Sequence, residues 1–295
     1  MKLPSAQQLH LPIMPVMPAF SRSFWLVLAA SVCLRLMLQP ISTALSLTSR
    51  YELSSPMTSS SRLNEGVHLL SLHEDPYATD LVHFPPWFLF LSRVFVRSPP
   101  HGLLLLLHAY ADAVVVASIG FIHHALRSAP LPMLTVFKLC FNPIAILSCL
   151  ALTSATVFHA LLFGSVALAA APRTPMALPL FLLATASSLD FRAAVILPVL
   201  IATRARVQPP SPSAGKMAQV LRGAALAAAF AGCYGLLLVA DAIVLAPPSP
   251  LHSSASFLAR VRQTALVTWQ AVPLFDVHVR ELAPTVGTAW YMMME

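Results

Sequence analysis

Charge is what this chain has least of. Lys, Arg, Asp and Glu make up 10% of its 295 residues, against about 25% in a soluble domain. With 57% hydrophobic residues and a mean hydropathy of +0.75, that shortage excludes an ordinary water-soluble fold. Glycine is scarce as well, at 9 residues against 26 prolines, and several prolines interrupt apolar runs. Lipid-embedded helices tolerate this because neighbouring helices and hydroxyl side chains satisfy the freed carbonyls, so kinked or broken helices are expected. The four cysteines, Cys33, Cys140, Cys149 and Cys233, lie in apolar segments and form no C-x-x-C pair. That excludes a disulfide framework and a zinc knuckle and leaves them as small packing residues. The formal charge of +7 comes from basic residues scattered between hydrophobic runs, not gathered with aromatics on one face, so no nucleic-acid partner is expected.

What polar chemistry there is gathers in one interval. Arg62 to Phe95 holds Glu65, His68, His73, Glu74, Asp75, Asp80 and His83, and almost everything after it is apolar. Within it Leu63, Val67 and Leu70 fall at i, i+4 and i+7, the spacing of a helix lying on a membrane surface or on a bundle. The whole chain, 1–295, reads as a single all-α, multi-pass transmembrane helical bundle with a structured first loop. Its helices are expected at about 24–40, 103–126, 133–152, 155–171, 176–189, 192–203 and 218–246. Two of them, 176–189 and 192–203, fall short of even the shortest full crossing, about 17 residues, so paired or tilted half-helices are expected. The segment 81–97, apolar but broken by Pro85-Pro86, is expected to be re-entrant or interfacial. If it does not cross, Arg127, Arg173 and the cluster Arg204, Arg206, Lys216 and Arg222 share the cytosolic side with the N-terminus, as the positive-inside rule requires. The loops 41–80 and 247–288 are then luminal, and Gln208 to Gly215 reads as a linker within the bundle.

At Phe141 to Cys149, FNPIAILSC, the chain resembles the LNP-x-x-ILSC segment of the U subunit of the glycosylphosphatidylinositol (GPI) transamidase, the PIG-U family. Four further places agree in order. Ser55-Pro56 and the hydroxyls after it are similar to an SP-x-(S/T)-S tract. Glu65-Gly66 with Leu69-Leu70, then Pro76-Tyr77, resembles EG-x-x-LL followed by SPY. Asp112-Ala113 matches an acid within the next helix, and Leu282-x-Pro284, Gly287, Trp290-Tyr291 and Glu295 resemble L-x-P-N-x-G-x-x-WYFF-x-E. The resemblance implies a glycosyltransferase C-like architecture in the endoplasmic-reticulum membrane and no cofactor. It implies a non-catalytic subunit that helps bind the GPI lipid for attachment to protein C-termini. The implied partners are the other transamidase subunits, including the cysteine protease-like catalytic one. Family members continue past the position of Glu295, so a truncated gene model or a reduced homologue is expected. Asp190-Phe191-Arg192 stands where the family has a Tyr-Pro pair, which leaves the helix break there open.

Catalytic readings are weaker. The histidines and acids of the loop suit zinc or manganese by type, but the chain has no H-E-x-x-H and no D-x-D, so no metal site is expected. A dolichol-phosphate-mannose-dependent mannosyltransferase, the alternative, calls for paired acids after the first helix, one of them a general base. Here Glu52 is followed by Leu-Ser, leaving Glu52 or Glu65 as the base. A small transporter, with Asp112 as the coupling residue, is a further alternative. An acid within a spanning helix costs about 2.5–3.5 kcal/mol on insertion scales and normally has a partner or a cavity; Tyr110 and Asn142 are the expected partners of Asp112. The expected lipid-binding set is Glu65, Pro76, Tyr77, Asp112, Asn142, Pro143, Trp290 and Tyr291, with no catalytic residue.

Overall fold

The computed structural model describes residues 20–49, 58–72, 74, 76–77, 82–96, 101–127, 129–208 and 216–244. Among these the chain is all-α, with no strand. Four helices are long and apolar enough to cross a membrane: Arg22–Ala44, Leu103–Arg127, Met133–Leu150 and Val220–Asp241. Ser154–Ala170 and Ala177–Leu189 are shorter apolar helices.

The first leg starts where Ser21 Oγ accepts from Phe24 N–H at 3.2 Å. It comprises α1 (Arg22–Met37) and the short α2 (Gln39–Ala44), jointed at Leu38 with Pro40 opening the second piece. α5 (His101–Arg127) packs antiparallel to it. Phe24 sits by Gly120 at one end, Arg35 by Asp112 in the middle, and Leu47 by Leu105 at the other end. The chain therefore leaves and rejoins the bundle at the same end. Between those points lie α3 (Ser60–Ser71) and α4 (Pro86–Val96), packed on each other around Val67, Val82, Phe84, Phe88 and Leu89. With 11 residues, α4 is about 16 Å long at 1.5 Å per residue, roughly half a hydrocarbon core of about 30 Å.

The next leg is broken in the middle into α6 (Met133–Cys140) and α7 (Pro143–Leu150). Pro143 has no N–H to give to the preceding turn. Asn142 then caps the second piece, its Oδ1 accepting from Ile144 N–H at 3.0 Å. That N–H would otherwise donate to the carbonyl of Cys140 four residues back. α8 (Ser154–Ala170) returns and is tied to the chain before α3, where Ser154 N–H donates to Thr58 O at 3.1 Å.

α9 (Ala177–Leu189) ends at Asp190, whose carboxylate accepts from Arg192 N–H at 3.0 Å. The helix break at this place therefore exists, built on an Asx cap in place of Tyr-Pro. A 3-10 stretch (Phe191–Ile196) leads into α10 (Leu197–Val207), and α11 (Lys216–Val244) packs on α9 and α4.

The two ends differ in charge. None of the five described acids, Glu65, Glu74, Asp112, Asp190 and Asp241, lies at the end opposite the α3–α4 hairpin. That end carries Arg22, Arg127, Arg173, Arg204, Arg206 and Arg222. Arg204 is buried there, Nη1 donating to Ala171 O at 2.5 Å and Nη2 to Thr174 O at 2.8 Å. It closes over carbonyls just past the C-terminus of α8, and at this helix end such carbonyls have no intrahelical donor.

Candidate functional site

The described members of the expected lipid-binding set form two groups at different depths. Glu65, Pro76 and Tyr77 come together in the hairpin. Glu65 sits half-exposed on α3 and pairs with Arg62 at 2.9 Å. Pro76 is fully buried, and the Tyr77 hydroxyl donates to Phe84 O at 2.6 Å, pinning the link between the two helices. Gly66, next to Glu65, is required by close approach. A Cβ there would stand 2.8 Å from Val82 Cγ1 and 2.9 Å from Leu89 Cδ2, both side chains in the packed centre of the hairpin. Gly66→Ala is therefore expected to overpack it and cost about 1–3 kcal/mol. A lowered thermal midpoint of the detergent-solubilised protein, with faster proteolysis of the hairpin, is the measurement that checks it.

Asp112, Asn142 and Pro143 form the second group, halfway along the bundle at the α6–α7 break. The expected partners of Asp112 are corrected by the structure. Tyr110 is 66% exposed because residues two apart on a helix do not share a face, and Asn142 is exposed at the break, where it caps its own helix. The partner is Arg35 of α1, whose Nη2 donates to Asp112 Oδ2. Its Nη1 donates to Ser31 Oγ at 2.7 Å, Ser31 O at 3.0 Å and Cys140 O at 3.1 Å. The last of these is the carbonyl set free by the break. One guanidinium, 1% exposed, thus ties α1, α5 and the broken helix together.

α7 links the two groups. Eight residues long, or about 12 Å, it runs from the break to the hairpin end. There Ser42 Oγ donates to Leu150 O at 2.7 Å and Ser60 Oγ to Ala151 O at 3.4 Å. The hairpin is thereby tied to the lower half of the leg that carries Asn142. Trp290 and Tyr291 lie outside the described residues, as do Glu52, Ser55, Pro56, His73, Asp75 and Asp80.

Reasoning from sequence missed Arg35 as a partner, and it missed Asp241. Asp241 is 1% exposed on α11, and its Oδ1 accepts from Trp87 N–H of α4 at 2.7 Å. Both residues carried the same signal as Asp112, a charge inside an apolar run. Cys140 and Cys149 are fully buried, Cys233 is partly so, and Cys33 differs from the packing role expected of it by lying exposed on α1. Among the described residues no group of three or more His, Cys, Asp or Glu is placed to hold a metal ion. A cleft of about 310 Å³ between Phe20, Phe24, Gly120, His124 and Leu131 opens at the opposite end from the hairpin and shares no residue with either group.

A polytopic helical membrane protein with a buried ion pair beside a broken helix, capped at one end by a structured hairpin, is the class that this geometry defines. A family model then narrows it: the model for GPI transamidase subunit PIG-U matches residues 29–295, and the chain belongs to that family. No curated protein matches it.

Proposed function

We propose that this GPI transamidase subunit is an accessory one, which holds the GPI lipid while the cysteine protease-like subunit cuts the protein and forms the new amide. The observation that carries the reading is the coupling of the two groups of residues: the hairpin bearing Glu65, Pro76 and Tyr77 is tied through α7 to the helix break at Asn142-Pro143. A broken helix within a bilayer is tolerated where its backbone is buried or lines a cavity, and here one end of the break faces outward, with Asn142 and Pro143 exposed. Cys140 and Cys149, at 0% exposure, are closed to nucleophilic work, since a nucleophilic thiolate needs a partly exposed, electropositive site.

The proposed setting is the endoplasmic-reticulum membrane, with the basic end in the cytosol and the hairpin in the lumen, α4 not crossing. The arginines gathered at the basic end, Arg22, Arg127, Arg173, Arg204, Arg206 and Arg222, support this orientation. Deletion is expected to remove GPI-anchored proteins from the cell surface while complete GPI lipid accumulates. An under-mannosylated precursor would instead identify the mannosyltransferase, and intact anchoring would overturn the reading. Tags inserted at Ser60 and Gly215 are expected on opposite faces of the membrane, and finding them on one face would overturn the orientation.

A further inference from the structure

Pro85 and Pro86 open α4 without a donor, because neither nitrogen carries a hydrogen. The first N–H that this helix presents is that of Trp87, and it is taken by a residue 154 positions further along the chain, Asp241 Oδ1 at 2.7 Å. The same tryptophan is held a second time. Its indole Nε1–H donates to Ser188 Oγ of α9 at 3.0 Å, and that hydroxyl donates on to Thr185 O at 2.8 Å. Asp241 and Ser188 are 1% and 2% exposed, so one residue of the hairpin is gripped by two helices of the bundle in a place closed to solvent. The carboxylate also stands at the positive end of the α4 dipole. Its other oxygen, Oδ2, is buried with no partner, so the contact with Trp87 N–H is what the side chain contributes to the fold.

We propose that Asp241 is a positioning residue. By capping α4 from α11 it seats the hairpin that carries Glu65, Pro76 and Tyr77 on the bundle, in the pose in which lipid is held; this last step rests on the lipid-holding role proposed above. The local consequence is that α11 and α9 determine where the hairpin stands, although neither bears any member of the expected lipid-binding set. Asparagine at this position keeps the acceptor and gives up only the charge, whereas leucine removes the acceptor.

The test uses the intact transamidase complex purified with wild-type chain, Asp241→Leu and Asp241→Asn. Hydrogen–deuterium exchange of the peptide spanning Trp87 to Leu91 reads the cap directly. Asp241→Leu is expected to speed exchange there by about tenfold or more, the scale of one lost hydrogen bond to a charged group, with α5 and α8 unchanged. Asp241→Asn is expected to restore protection. Unchanged exchange in the leucine variant, or asparagine as loose as leucine, overturns the capping role.

Mass spectrometry of GPI lipid co-purifying with each complex reads the consequence. Bound lipid is expected to fall with leucine and return with asparagine. A loosened hairpin with undiminished lipid overturns the link to lipid holding. Absence of GPI lipid from the wild-type complex sinks the lipid-holding role itself, while the exchange result still decides the cap. Should Asp241→Leu fail to assemble, Trp87→Phe removes the indole donor together with part of the ring, and leaves the backbone N–H in place. It is expected to speed exchange of the same peptide by about threefold, and no change there overturns the grip by two helices.

Discussion

Arg35→Ala is expected to destabilise this protein by about 3–5 kcal/mol, the range for removing one partner of a buried ion pair. That corresponds to a fall in melting temperature of roughly 10 °C for a chain of this size. The loss has two parts. Asp112 is left within the bundle without its ion-pair partner. Cys140 O is also left without the donor that replaces Ile144 N–H, which Asn142 has drawn away. Asp112→Ala removes less. The guanidinium keeps Ser31 Oγ, Ser31 O and Cys140 O as acceptors, so its cost is expected to be smaller than that of Arg35→Ala. Replacing both residues by leucine is expected to recover much of the stability, because apolar side chains of similar volume often replace a buried pair at little cost. Thermal unfolding of the four proteins in one detergent checks the order. An Asp112→Ala variant less stable than Arg35→Ala would show that the freed carbonyl contributes nothing.

How much of this was legible in the sequence depends on the range of the interaction. The break at Asn142-Pro143 divides the helix expected at 133–152, and its causes are local: a residue without an N–H and a side chain able to cap the following turn. The hairpin helix α3 was legible from the spacing of Leu63, Val67 and Leu70, which the structure packs on α4. The partner of Asp112 was not. Arg35 stands 77 residues away, and only the antiparallel packing of α1 and α5 brings the two to one depth. A general rule did bear on it, since two opposite charges inside apolar segments near the same distance from their common end make a plausible pair by cost alone. The same rule marks Asp241, but its partner is a backbone N–H exposed by two prolines, and no pattern of side chains announces that. Trp290 and Tyr291, which carry part of the family resemblance, lie beyond the described residues.

The reading of Arg204 from sequence, one member of a cytosolic basic cluster that orients the chain, covers only part of what the structure gives it to do. The side chain is 7% exposed and donates to Ala171 O and Thr174 O, with Ala169 O further off at 3.5 Å. Orientation depends on charge alone, whereas closure of a helix end depends on the fork of the guanidinium. The two roles therefore separate on substitution.

Arg204→Lys keeps the charge and is expected to leave the sidedness of tags at Ser60 and Gly215 unchanged. A lysine, however, offers a single compact ammonium where the fork reaches two carbonyls, so stability is expected to fall. Arg204→Ala loses both bonds. Ala171 O keeps Thr174 N–H as a donor at 3.2 Å, so at about 1–3 kcal/mol for a buried group left unpaired the cost is expected near 1–3 kcal/mol. The alanine variant is thus expected to melt several degrees below wild type, with lysine between the two. Lysine as stable as wild type would mean that position 204 needs a positive charge and no fork, and the connection of α8 to α10 would then rest on apolar packing around Ala169 and Leu200.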